Sequence, residues 1–332
     1  MNFMKDNWDS LLCAFRRLGG IAENVCQKEG KYGRGIFPIN PNLEARIFTP
    51  SKLLVKKDDI YLEDNKLRIK KDKFYSKEIS DFFNFYQDNF SWGFGGRETT
   101  EFFEKGLSLF NPNLKELIQK FALVDIDLRH KGLWDNVVRN QFINARAVKF
   151  RGTVVIAPIW ELVNHKARSL DFIINKDGIN TPNYPPLDCE IRHVYRRMSP
   201  LNCFFSYGFF SEETIVFSMP FSLEIDDICI CCKGMDLNDD SMKIERFNNK
   251  IILDGLPIAD SNYPRLPYKY FDEIIKRIGD INLSKDLLLR IFELNISIRK
   301  KIINESQSLN NQIFKQLIEV INYEISLISI DY

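Results

Sequence analysis

The sequence predicts an α+β fold: short strands split by a helical insert, then a mostly helical C-terminal domain. Three observations predict it. Residues 31–74, "KYGRGIFPINPNLEARIFTPSKLLVKKDDIYLEDNKLRIKKDKF", are short β-like pieces broken by Gly and Pro. Helical spacing takes over from about Glu78, and β-type patterning returns at "GTVVIAPIW". Near the end, Leu287, Leu288, Ile291, Phe292 and Leu294 share one helical face, as do Ile313, Phe314, Leu317, Ile318, Ile321 and Ile325.

In chain order, Trp8, Leu11, Leu12, Phe15 and Leu18 predict a helix from Asn7 that stops at Gly19-Gly20. The β-like pieces complete an N-terminal part, 1–77. The insert, 78–150, reads as helices over "EISDFFNFYQDNF", "TTEFFEKGLSLF", "LKELIQKFALV" and "LWDNVVRNQFINARAV". In 151–218 a β-type pattern runs through "LDFIINKDG", "EIRHVY" and "FFSYGFFSEETIVFSMPF". The C-terminal part, 219–332, begins with short β-like pieces and an extended "YPRLPYKYF" and ends in the two helical faces. These faces could pack internally, hold a substrate protein or dimerise; internal packing is the default.

Composition excludes several classes. The 332 residues are 45% apolar, enough for a sizeable core. Lys+Arg number 46 against 45 Asp+Glu, so no polyelectrolyte partner such as a nucleic acid is expected. "MNFMKDNWDS" lacks the pattern of a secretory signal, and no apolar run approaches membrane-spanning length. Seven cysteines, an odd number, argue against a disulfide framework and for a reducing compartment; the expectation is an intracellular, cytoplasmic setting, with the nucleus as the alternative. Cys229, Cys231 and Cys232 have no second ligand pair nearby, so small apolar residues on a strand are preferred to a metal site. No dinucleotide-type Gly-rich turn, Walker loop, zinc His-Glu-x-x-His or Gly-x-Ser-x-Gly elbow occurs.

Four features carry chemistry, each with a plain structural alternative. "YGRGIF", 32–37, lets backbone approach a ligand, or is an ordinary turn. Asn164-His165, ending "TVVIAPIWELVNH", offers donors and acceptors suited to an amino-acid-like or adenine-like ligand, or is a strand end with a bonded His. Tyr195 in "EIRHVYRR" could orient a nucleophile through its hydroxyl, or pack half in the core. "FFSYGFF", 204–210, could stack on a flat ring, or fill a core.

Taken in order, these motifs resemble a SET-domain protein methyltransferase. The resemblance is to the branch with a long helical insert and a helical C-terminal domain, which includes the Rubisco large-subunit lysine methyltransferases and the actin-histidine methyltransferase. "APIWELVNHK" and "SPLNCFFSYGFF" are its specific part, Gly33-x-Gly35 is supporting, and it covers roughly residues 25 to 215. It implies a SET-type β-clip, S-adenosylmethionine as cofactor and a protein side chain as methyl acceptor, lysine first and histidine as the alternative. Gly33, Arg34, Gly35 and Ile36 match the turn whose backbone holds the cofactor. Asn164 and His165 match the pair at its amino-acid and adenine portions. Tyr195 matches the tyrosine of the methyl-transfer channel, Tyr207 the second tyrosine shaping it, and Phe209 the aromatic against adenine. Arg146 is the candidate for the cofactor carboxylate, with Arg139 the other arginine in that register. Departures are "DCE", 188–190, where the family has Gly-Glu, the unmatched stretch from Lys166 to Pro186, and "YRR" after Tyr195. They leave open a non-catalytic SET-like protein-binding module. Methyl transfer from a sulfonium needs a neutral amine held in line. A narrow apolar channel beside a cation lowers a lysine pKa from about 10.4, with no metal needed.

Overall fold

Gly, Pro and Asn cut the first part of the chain into strands of two to six residues. The hairpin Ile60–Glu63/Lys66–Ile69 turns on Asp64 and Asn65, both at positive φ, as a two-residue turn between right-twisted strands requires. A computed structural model describes residues 2–166, 168–182, 189–195, 197–225, 228–234, 242–278, 284–306 and 311–329. Among them the α-helices are α1 Asn2–Arg17, α2 Lys77–Phe90, α3 Arg97–Ser108, α4 Pro112–Ala122, α5 Ile126–Arg129, α6 Trp134–Arg146, α7 Pro200–Tyr207, α8 Leu266–Ile278, α9 Ser284–Ser306 and α10 Gln312–Ile328. The architecture is α+β. No helix of the described residues is long and apolar enough to cross a membrane.

The chain divides into two compact units: Met1–Phe102 with Gly132–Tyr195, and Phe103–Lys131 with Arg196–Tyr332. These boundaries differ from the segments read in the sequence, because 103–131 of the helical insert belongs with the C-terminal part.

In the first unit an antiparallel sheet runs in the order Ile21–Glu23, Arg46–Pro50, Gly178–Asn180, Ile173–Ile174. Val25–Gly30 and Gly33–Pro38 form a hairpin, and Val55–Lys56, Thr153–Ile156 and Val148–Phe150 a three-stranded sheet. Asn164–His165 pairs in parallel with Arg192–His193, and Ile191 bridges to Ile36. The apolar stripe of α1 (Trp8, Leu11, Leu12, Phe15) meets Ala22 and Ile47 of the sheet, Phe82, Tyr86 and Phe90 of α2, and Val163.

In the second unit Phe103, Leu107, Leu114 and Ile118 pack with Leu201, Phe204 and Phe205 of α7, Ile298 and Ile302 of α9, and Ile313, Phe314, Leu317 and Ile321 of α10. A four-stranded sheet, ordered Phe221–Ile225, Ile228–Cys232, Lys250–Asp254, Lys243–Phe247, packs with α8 and the start of α9. Leu287, Leu288, Ile291 and Phe292 are buried there, so both tail faces pack inward.

Two segments depart from the β-like or extended reading. "LNCFFSY" is helical in α7: the run is apolar nearly all round, so periodicity did not separate helix from strand. Pro200 at its start, Gly208 at φ 80° after its end, and Leu201, Phe204 and Phe205 at i, i+3, i+4 decide for helix. In "YPRLPYKYF", α8 begins at Leu266; Pro267 sits in the first turn, where a missing N–H costs nothing, and Phe271, Ile274 and Ile275 form the buried stripe.

Candidate functional site

In the first unit three stretches far apart in sequence meet. The Asn164 side-chain amide donates to the Arg34 carbonyl at 3.1 Å and to Glu190 Oε1 at 2.6 Å. Ile191 N–H donates to the Ile36 carbonyl at 2.8 Å, holding Gly33–Pro38 beside the strand that continues to Tyr195. Gly35 leaves room for this contact: a Cβ on it would stand 1.8 Å from Glu190 Oε1 and 2.8 Å from Asn164 Nδ2, so both side chains would have to shift. Gly33, at φ 82°, closes the hairpin in a conformation that favours glycine. Burial pushes the Glu190 carboxyl above the usual range, while the Asn164 amide and Arg192 pull it down.

His165 Nδ1 accepts the Tyr195 backbone N–H at 3.0 Å, and the Tyr195 hydroxyl donates to the Val163 carbonyl at 2.8 Å. The two bonds lock Tyr195 against the segment that carries Asn164 and His165. Burial, with Arg192 nearby, lowers the His165 pKa to about 4, so the ring is neutral at pH 7, with its proton on Nε2. A strained turn feeds this segment: Ile159 is β-branched yet sits at φ 66°, ψ −46°.

The Arg34 guanidinium carbon lies over the Phe94 ring, 3.9 Å from its centroid, and Arg34 donates to the Phe94 carbonyl. Its Nη1 is buried without a partner. Burial first, then the charge of Arg146, lowers its pKa. Beside it a cleft of about 440 Å³ is lined by Gln27, Lys28, Glu29, Arg34, Phe94 and Gly95. Arg146, its guanidinium 4.8 Å from the Phe142 ring centroid, acts by charge on Arg34, Tyr86 and Glu161. Arg139 instead donates to Asn140 and is perturbed by burial alone.

The segment before Asn164 carries a buried carboxylate. Glu161 Oε1 accepts from Tyr86 at 2.8 Å, Ser91 at 2.9 Å and Gln87 at 3.3 Å, while Oε2 is buried without a partner. Burial raises its pKa against the pull of Arg146 and these donors.

Tyr207 and Phe209 belong to the second unit, at the C-terminal end of α7. Their rings stack at 5.9 Å and 30°. Tyr207 packs on the cluster of Met198, Cys203 and Phe217, and Phe209 is 39% exposed.

Sequence reasoning passed over His193, Tyr86 and the bonding role of Glu190. His193 is fully buried, pairs in register with His165, and meets Trp160 at 4.6 Å, Tyr195 at 5.2 Å and Phe172 at 5.5 Å. Burial pushes its pKa down to about 3 against an upward pull from the Val194 backbone, and neither ring nitrogen has a well-formed hydrogen bond. The strand period of two in "IRHVY" puts Ile191, His193 and Tyr195 on one side, which is the pattern that could have found it. Asp188 of "DCE" and Arg196 of "YRR" lie outside the described residues.

No family model and no curated protein matches the chain. Among solved structures it is similar to the SET domain of LSMT bound to lysine and AdoHcy, at 12% identity and TM-score 0.43, over 98% of this chain and 89% of that one. It is also similar to Rubisco LSMT bound to AdoMet, at 12% identity and TM-score 0.46, and to Rubisco LSMT bound to sinefungin and monomethyllysine, at 13% identity and TM-score 0.46; each match covers 97% of this chain and 89% of the other.

Proposed function

We propose that the chain is an S-adenosylmethionine-dependent protein methyltransferase of the SET type that acts on a lysine side-chain nitrogen. One observation carries the reading: the Gly33–Ile36 turn, Asn164-His165 and Tyr195, far apart in sequence, are hydrogen-bonded into one cluster, and Arg34 of that cluster lines a cleft.

The residues suit the cofactor. Arg34 offers a buried, unpartnered donor at the cleft, and Arg146 adds positive potential, as a cofactor carboxylate requires. The Phe94 ring beside Arg34 gives the cleft an apolar wall. Asn164 is tied to this region through its bond to the Arg34 carbonyl. The bound cofactor supplies a methyl group on a sulfonium sulfur. Tyr195 commits its hydroxyl proton to Val163, so toward a substrate amine its oxygen acts as acceptor, taking an N–H and aiming the nitrogen lone pair. His165, neutral down to about pH 4, orients Tyr195 and carries no proton away. For Tyr207 and Phe209 the proposal rests on the Tyr-Gly-Phe motif.

Isothermal titration with S-adenosylmethionine tests cofactor binding, and no heat at millimolar cofactor removes the reading. Tyr195→Phe is expected to keep cofactor binding and lower methyl transfer by about 10²-fold; normal turnover would show that Tyr195 is not the aligning group. Labelled-methyl transfer into a cell lysate, with the modified residue mapped, separates lysine from histidine.

A further inference from the structure

The methyl-transfer reading makes no use of the cysteines at 229, 231 and 232. Strand Ile228–Cys232 lies between Phe221–Ile225 and Lys250–Asp254. Its period of two turns Ile230 and Cys232 into the core and leaves Cys229 and Cys231 half-buried on the opposite face. The Cys229 and Cys231 sulfurs stand 3.6 Å apart, and Ser222 Oγ lies 3.5 Å from each. Ser222 is the register partner of Cys231, and Lys250 that of Cys229.

We propose that Cys229 and Cys231 form a reactive dithiol that closes to an intrastrand disulfide on two-electron oxidation by a peroxide. Cys231 is the first to react. Its pKa is lowered by the hydrogen bond from Ser222, then by the Cys229 thiol and the charge of Lys250, against the effect of burial. The Cys231 thiolate attacks one peroxide oxygen, the O–O bond breaks, and the departing hydroxide is protonated to water, leaving a sulfenic acid. Cys229, giving up its proton, attacks the Cys231 sulfur; the S–O bond breaks and a second water leaves. Two thiols and one hydrogen peroxide thus yield one disulfide and two waters.

The rest of the chain separates this pair from ordinary cysteines. Burial raises the pKa of Cys26, Cys203 and Cys232, and the exposed Cys13 and Cys189 are far from each other in sequence. Residues i and i+2 of a strand have Cα atoms about 6.6 Å apart, at the upper end of the disulfide range of about 4.4–6.8 Å. The sulfurs must also approach by about 1.5 Å. The bond is therefore strained and easily reduced, as a reversible rather than a stapling disulfide should be. The inference does not depend on the methyltransferase reading.

The test uses the full chain, reduced, freed of reductant and treated with one equivalent of hydrogen peroxide, then alkylated and mapped by peptide mass spectrometry. Two of the seven thiols are expected to become unreactive, on a peptide lighter by two hydrogens that carries Cys229 and Cys231. Cys13 and Cys189 should stay alkylated, and glutathione should restore both sites. In Cys229→Ser, Cys231 should stop at a sulfenic acid trapped by dimedone. Alkylation of Cys229 and Cys231 to the same extent as Cys13 after peroxide would overturn the proposal. So would bridges scattered among other cysteines, or no dimedone adduct on Cys231 in Cys229→Ser.

Discussion

Gly35 shows how far a single atom matters. Its missing Cβ makes room for the Glu190 carboxylate and the Asn164 amide, which would otherwise stand 1.8 and 2.8 Å away. Gly35→Ala is expected to cost about 1–3 kcal/mol, measured by urea unfolding. Glu190→Ala in the same chain removes the nearer of the two clashes, so the double variant should lose clearly less than the two single losses added. The histidines make a second prediction at this scale. His165 and His193 have folded-state pKa values of about 4 and about 3, below the ordinary 6.5. Between these values the unfolded chain binds protons that the folded chain does not. Their contribution is therefore complete above about pH 6.5 and is lost as pH falls toward 4 and 3, about 3 kcal/mol for His165 and about 5 kcal/mol for His193. Glu161 and Glu190, held above the usual carboxylate range, act in the opposite sense. His193→Phe isolates one histidine: thermal melting should show a shallower fall in Tm between pH 6.5 and 4 than in the parent. Equal slopes would mean that His193 is not held neutral by burial.

At the scale of elements, the legible ones were those with punctuation. α4 begins at Asn111-Pro112, and the Asn111 side chain caps Leu114 N–H at 2.8 Å. Asn111→Ala is expected to cost about 1 kcal/mol, seen as a lower midpoint in thermal unfolding, while Asn111→Asp should cost little. α7 was harder, because aromatic residues on every side erase the periodicity that separates 2.0 from 3.6 residues per repeat. The strand Asn164–His165 was legible from the apolar run before it. Its pairing with Arg192–His193 was not, because a parallel pair joins residues 28 apart and no local pattern records it. Glu161 lies inside the "APIWELVNHK" motif. Its bonds to Tyr86, Gln87 and Ser91, more than 69 residues away, have no local trace.

For the whole molecule, neither compact unit is a continuous piece of chain. A fragment ending at residue 195 keeps 103–131 but loses the helices those residues pack on. Phe103, Leu107, Leu114 and Ile118 would then be bare of Ile298, Ile302, Leu317 and Ile321. Such a fragment is expected to bind the dye ANS strongly and to aggregate. Replacing 103–131 in it by a short Gly-Ser linker should reduce both. Dye binding unchanged by that replacement would show that the insert helices are not the exposed surface.

The sequence by itself determined the α+β class, the helical insert, the two apolar faces of the tail, and the residues of the Gly-x-Gly, Asn-His and Tyr-Gly-Phe motifs. These are properties of periodicity, of Gly and Pro punctuation, and of short ordered motifs, all read from near neighbours. Only the tertiary structure decided that residues 103–131 of the insert share a core with the tail, that Glu190 bonds Asn164 over Gly35, and that His165 holds Tyr195. The paired sulfurs of Cys229 and Cys231 beside Ser222 came to light the same way. Each of these depends on which distant segments are brought into register, and that choice is made by burial and hydrogen bonding summed over the whole fold.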